Sequence, residues 1–502
     1  MVGSGAGGSV VAYHLARAGE RVVVIERGRR VPTESMNADE VAMVSALYKD
    51  GGSQMNTGLD MFVLQGSCVG GTTVLTNGVC FRLPDRVRRT WARDGFELDP
   101  AQLEESYARV ESVLNVQPLP ERLQNSAAPR LRDGFRALGL EPRGFHKNFL
   151  HCLGCGSCNI GCRFGRKLDA AQTWIPMAES HGCEVLPDLE AVRIEHHRGH
   201  ATAILCRRMS NGEPIAVRAE RFVVSGGAIN TPELLLRSKI APSLAGIGTS
   251  FNAGAIAFAE YPEPLDAFEG DQMGVWYAGD GYVIEQIHNP PLSFALTLPG
   301  GMDTHRARME RYRYLTSAGV LVPTRPVGRV FLGLGHRLLP RLFNHAEIEF
   351  ELPESDLASL REGFRTLARA YLASGATQVF IPFHEPAVVR SESELEDLDR
   401  RLRSQKDIAN FGSSHPQGGA CAGSDPKRHV CSPDLRVRGF DNLYVCDASV
   451  FPSSAEVNPQ LPIMAIADYA VRSIGGFVPP LRIEEGPAHR ARTQFAASAE
   501  AF

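Results

Sequence analysis

Glycines at positions 3, 5 and 8 constrain this chain more than any other feature. In Gly3-Ser4-Gly5-Ala6-Gly7-Gly8 the first permits a tight turn, the second lets backbone approach a pyrophosphate, and the third lets a helix pack on a strand. The neighbouring residues agree: positions 8–18 carry Val11, Leu15 and Ala18 at helical spacing, Gly19 ends the run, and residues 22–25 read as a short buried strand. Glu26 then stands where a carboxylate accepts from ribose hydroxyls, about twenty residues past the glycines. The pattern is a βαβ unit for a dinucleotide, and it fits FAD and NAD equally. Its first strand should precede Gly3, yet only Met1 and Val2 stand there. The expectation is a strand extending upstream, without which the sheet centre would lack a ladder partner.

A length of 502 residues allows either several folding units or one intertwined two-domain enzyme. The net charge of -4 leaves no basic surplus for phosphates, so nucleic acid is not an expected partner. No apolar run is long enough to span a bilayer, and Met1-Val2 leads into glycines rather than a basic and apolar leader. Four of the eleven cysteines crowd into residues 152–162, unlike a secreted disulfide framework. The expected location is cytoplasmic.

Helical patterning recurs over residues 86–118, 168–181 and 356–374, and residues 346–352 read as a strand. Strands at 191–196, 201–207 and 215–219 are joined in part by the Asn211-Gly212 turn. The last residues, 477–502, have no periodicity and are expected to form a mobile tail.

Three further blocks come after the glycine turn in order. They are Gly66-Ser-Cys-Val-Gly70-Gly71-Thr72-Thr-Val-Leu-Thr-Asn77-Gly, Gly227-Ala-Ile-Asn-Thr-Pro-Glu-Leu-Leu-Leu-Arg-Ser238, and His415-Pro-Gln-Gly-Gly with Cys446-Asp447-Ala-Ser and Asn458-Pro459-Gln460. Together they resemble the glucose-methanol-choline (GMC) oxidoreductases, flavoenzymes that oxidise alcohols. The resemblance implies an α/β chain, α+β overall, with a discontinuous Rossmann-like FAD-binding domain (residues 1–85, 180–250 and 405–475). A connecting region (86–179) and a substrate domain on an antiparallel sheet (251–404) would complete it. It also implies noncovalent FAD, held by Gly3, Gly5, Gly8, Glu26, Gly70, Gly71, Thr72, Asn77, Val192, Asp447, Asn458, Pro459 and Gln460. Lys239 stands where the second signature usually has glycine, and Glu456 where glycine often precedes the asparagine by two residues.

Alcohol oxidation needs a base for the hydroxyl proton and donors for the developing alkoxide. His415 matches the family's base position. Asn458 can hold the substrate oxygen but cannot exchange a proton at neutral pH. The helix after Pro459 would point its positive end at the site.

The run Cys152-x-x-Cys155-x-x-Cys158-x-x-x-Cys162 has bacterial ferredoxin spacing, with Arg163 in place of the following proline. Part of it resembles the cluster-bearing segment of bacterial FAD-dependent sugar dehydrogenases. An iron–sulfur cluster, unliganded thiols and zinc all stay open.

Residues 309–330 and 356–376 resemble long-chain alcohol oxidases, and the His415 and Asn458 blocks resemble cholesterol oxidases. The expected activity is oxidation of an apolar or bulky small-molecule alcohol, with electrons leaving to an external acceptor other than O2. The rivals are an O2-using alcohol or sterol oxidase, a flavin-dependent lyase or decarboxylase on the same fold, and an electron-transfer protein without a substrate.

Overall fold

A computed structural model describes residues 1–338, 345–384 and 387–475. The expected tail, residues 477–502, lies outside them. Helix Ala6–Arg17 begins inside the glycine turn, with Gly5 as its N-cap, and buries Val10, Val11 and Leu15. Strand Val23–Ile25 pairs in parallel with Glu184–Leu186, and Phe222–Val224 pairs in parallel with Leu443–Val445.

Val2 joins these two pairs. It forms parallel bridges to Ile25 on one side and Val224 on the other. Its N–H donates to Val223 O at 2.9 Å, its carbonyl accepts from Ser225 N at 2.7 Å, and Met1 O accepts from Ile25 N at 2.9 Å. At the level of the glycine turn, Met1 and Val2 thus supply backbone groups that pair with both flanking strands. The result is a parallel sheet drawn from four widely separated stretches, with the glycine turn at its centre.

Helices Ala6–Arg17, Pro100–Leu114 and Gln460–Ile474 cover one face, tied by a buried charge cluster. Asp468, fully buried, accepts from His14 Nε2 at 2.8 Å and from Arg109 Nε at 3.0 Å and Nη2 at 2.5 Å. Burial pushes its carboxyl up, but the bonds from His14 and Arg109 more than offset this and leave it below the usual carboxylate range.

The second layer is antiparallel. Strand Ile247–Glu260 runs against Leu315–Pro323 over nine residue pairs, Val283–Gln286 adds to Leu315–Pro323, and Val275–Ala278 adds to Val283–Gln286. Helix Glu354–Ala373 backs this sheet, burying Leu357, Leu360, Phe364 and Leu367 against Ile284, Val320 and Val322. The opposite face, carrying Gly254, Glu285, Gly319 and Leu321, looks into a cavity.

Two elements are shorter than their sequence patterns predict. The helix expected at 168–181 forms only over Trp174–Ser180, because Asp169 Oδ1 accepts from Ala171 N and Gln172 N and holds the preceding residues as a turn. The strand expected at 346–352 pairs only over Glu347–Glu349. Among the described residues no helix is long and apolar enough to cross a membrane.

Candidate active site

Both layers wall a cavity of about 660 Å3. Its lining includes the glycine turn, Glu26, Ser225 and Asp447, and also His415, Asn458 and the face of the antiparallel sheet.

Gly3 has φ of +90°, and a Cβ there would sit 2.2 Å from Ser225 O. A Cβ on Gly8 would meet Gly3 O at 2.1 Å, so this glycine does serve helix packing, outside the cavity lining. Gly5 lines the cavity, and a Cβ there would meet only Gly71 Cα, at 3.9 Å. That open space above the N-terminus of helix Ala6–Arg17 suits a pyrophosphate.

Glu26 is fixed by three donors: Ser4 N at 3.0 Å, Ser4 Oγ at 2.7 Å and Gly28 N at 2.8 Å. Gly70, in left-handed conformation, donates its N–H to Ser4 Oγ and stands behind the wall, whereas Gly71, Thr72 and Asn77 line it. Asp447 accepts from Gly227 N, Thr231 Oγ1 and Ser449 N, which fastens the second signature to the last block. Burial raises the pKa of both carboxyls, and these bonds work against the rise.

Pro459 and Gln460 line the cavity where helix Gln460–Ile474 begins. Gln460 Nε2 and Asn77 Oδ1 are buried without a hydrogen-bond partner, a donor and an acceptor in residues of one cavity wall. Such groups are costly unless a polar ligand meets them, so the cradle fits a dinucleotide that carries a polar ring system.

Val192 does not join this set. It is the extra residue of a β-bulge between Ala191 and Arg193, and Ala191 lines the cavity instead.

His415 and Asn458 line the same cavity. The His415 turn hangs on the long strand: Gly412 pairs with Gly254, and Pro416 and Gln417 pair with Phe251 and Ser250. The His415 N–H donates to Ser413 Oγ at 3.0 Å, and its Nδ1 is enclosed. Burial pushes the imidazole down to about 4, so it stands neutral and able to accept a proton at pH 7.

Family models described as GMC oxidoreductase match residues 44–253 and 339–467. The chain belongs to the GMC oxidoreductase family. A model described as an NAD(P)-binding Rossmann-like domain matches residues 1–45. An uncharacterized GMC-type oxidoreductase of Mycobacterium tuberculosis is 32% identical over 95% of this chain and 76% of its own length. A long-chain-alcohol oxidase of Arabidopsis thaliana is 26% identical over 93% of this chain and 67% of its own. The same fold is seen in pyridoxine 4-oxidase from Mesorbium loti, with a TM-score of 0.69, 16% identity and coverage of 94% of this chain and 98% of that one. GMC membership makes the protein an FAD-dependent oxidoreductase.

Both positions where this GMC chain lacks a usual glycine keep the glycine geometry: φ is +59° at Lys239 and +63° at Glu456. The turns survive at a cost of about 1–2 kcal/mol each.

Cys152, Cys155, Cys158 and Cys162 line one small separate cavity, together with Lys147, Lys167 and Asn77, and Asn77 also lines the large cavity. All eleven cysteines are free. Lys167 Nζ donates to Val74 O, Thr76 O and Cys158 O, and Lys147 forms a buried ion pair with Asp271. Gly154 N and Lys167 N approach the sulfurs of Cys152 and Cys162 at 3.4 and 3.3 Å. Among the described residues no three His, Cys, Asp or Glu side chains converge as ligands of a metal ion.

Glu285 is the cavity residue that sequence reasoning missed. It is buried on strand Val283–Gln286 and accepts from Asn458 Nδ2 at 3.4 Å. Its only signal was one acidic residue between Ile284 and Ile287 in an apolar run.

Proposed function

We propose that this GMC oxidoreductase oxidises an apolar or bulky alcohol to the aldehyde or ketone, with His415 as the base. The single observation that carries the reading is His415 with Asn458 in a cavity that also holds the dinucleotide cradle. Ile256, Ile287, Leu296 and Leu321 give the cavity apolar walls. A Cβ on Gly319 would meet nothing nearer than Glu285 O at 4.0 Å, so a broad substrate has room there. The similarity to a long-chain-alcohol oxidase of Arabidopsis supports the same substrate class.

Bound in the cradle, FAD supplies the acceptor for the hydride that leaves the carbinol carbon. His415 Nε2 takes the hydroxyl proton, its other nitrogen being enclosed. Asn458 keeps one amide hydrogen for the substrate oxygen while the other meets Glu285. The N-terminus of helix Gln460–Ile474 adds partial positive charge beside them. Apolar walls exclude water and strengthen each of these interactions.

We further infer that the four cysteines hold an iron–sulfur cluster, which when bound supplies one-electron exit to an acceptor other than O2. Four thiols around one cavity at ferredoxin spacing, with the buried Lys167 ammonium beside them, support an anionic cluster over unliganded thiols. Left without metal, the Cys158 thiol would be inert, since burial, ahead of Asp271, pushes it up to about 12.

The test is anaerobic. A panel of alcohols of graded size should bleach the bound flavin, and bulky apolar members should do so best. Protein prepared without oxygen should contain about three to four iron atoms and matching sulfide per chain. Cys158→Ser should lose that iron while alcohol-driven bleaching continues. No bleaching by any alcohol would refute the alcohol reading; iron-free wild type would refute the cluster reading alone.

A further inference from the structure

Glu285 is a carboxyl with no charged partner inside a catalytic cavity. Only burial and the bond from Asn458 act on it, and burial, the larger influence, pushes it up to about 7. Its Oε1 is buried without a hydrogen-bond partner, and its Oε2 faces the Asn458 amide. On the neighbouring strands it lies between Trp276 and Gly319, neither of which titrates. The turn carrying Asn458 also carries Glu456, which is paired with Arg86. His415, in the same cavity, is neutral, and helix Glu354–Ala373 lies on the opposite face of the sheet.

We propose that Glu285 is a positioning residue for Asn458, its carboxyl deciding which end of the carboxamide meets the substrate oxygen. An ionised carboxylate can only accept, so it holds Asn458 Nδ2 and turns donor capacity away from the substrate. A protonated carboxyl can donate to Asn458 Oδ1, which turns the amide over and leaves both N–H groups for the oxygen that develops negative charge. The charge works in the same direction, because an ionised Glu285 opposes every negative charge that forms nearby. The fast state is therefore the protonated one. Glutamine at this position is neutral at all pH and should hold that state.

The kinetic arm rests on the alcohol reading above, so the experiment has a second arm that does not. In rapid-mixing measurements of flavin reduction, the wild-type rate should fall about tenfold for each pH unit above an apparent midpoint near 7. Glu285→Gln should remove that fall, and Glu285→Leu should be slow at every pH. In an Asn458→Ala background, Glu285→Gln should lose the part of its effect that passes through the carboxamide and keep only the smaller effect of removing the charge, so the two substitutions should be clearly non-additive. Independently, infrared spectra of the resting holoenzyme should contain a protonated-carboxyl band that disappears as pH rises through about 7. The band should be missing in Glu285→Gln and shifted in Asn458→Ala. Additive effects of the two substitutions, an unchanged pH profile in Glu285→Gln, or an infrared band insensitive to Asn458→Ala would overturn the proposal. If no alcohol reduces the flavin, the alcohol reading fails, and the infrared arm alone decides on Glu285.

Discussion

Replacing His415 with alanine leaves a yellow, FAD-loaded protein that alcohols reduce about 10²- to 10⁴-fold more slowly, the usual effect of removing a general base. FAD should be retained because the Gly3 turn, Glu26 and Asp447 hold their own hydrogen bonds without His415. The loss should be in the reduction step, since Asn458 stays in the same cavity to hold the substrate oxygen. Burial keeps the imidazole neutral well below pH 7, so the deficit should stay constant across the neutral range and shrink only toward about pH 4, where the wild-type imidazole itself becomes protonated. Stopped-flow reduction with FAD content measured on the same samples separates these effects. A variant reduced at the wild-type rate would assign the proton to another group and remove the proposed mechanism.

Asp468→Ala should destabilise the protein by about 3–5 kcal/mol, the typical result of breaking a buried ion pair by removing one partner. Arg109 would keep its charge with a side chain only 10% exposed, and its guanidinium would lose three contacts with the carboxylate. His14 would lose its Nε2 partner in the same step. Because three helices meet here, the loss should appear as a lower unfolding midpoint both with and without FAD. The pH dependence has a definite sign. The folded carboxyl lies below its usual range, so its contribution is present above about pH 4 and is lost as pH falls through the depressed value. The gap between wild type and variant should therefore narrow in acid. Equal midpoints at pH 7 would mean that the cluster is held by packing alone.

Local chemistry explains how much of this protein is legible in its sequence. Glycine spacing, the Glu26 position and the His-Pro and Asn-Pro turns act over a few residues, and Gly3, Gly5, Glu26, His415 and Asn458 all line one cavity. Even Lys239 and Glu456 obey the local rule, adopting left-handed backbone where glycine was expected. That Ala191 rather than Val192 lines the cavity was not legible, because a β-bulge is a property of two paired strands and nothing in Ala191-Val192-Arg193 announces the partner's register.

What the sequence determined by itself was the family and, with it, the fold class, since the glycine-rich turns and the His-Pro and Asn-Pro segments that carry the resemblance are local patterns of neighbouring residues. Tertiary structure alone decided that Val2 bridges two halves of a sheet, that Asp468 gathers His14 and Arg109, and that Glu285 reaches Asn458. Those contacts join segments that lie far apart along the chain, and Glu285 and Asn458 are 173 residues apart. A side chain's protonation and partners depend on which distant surface excludes water from it, and that surface exists only once the two layers have closed on each other.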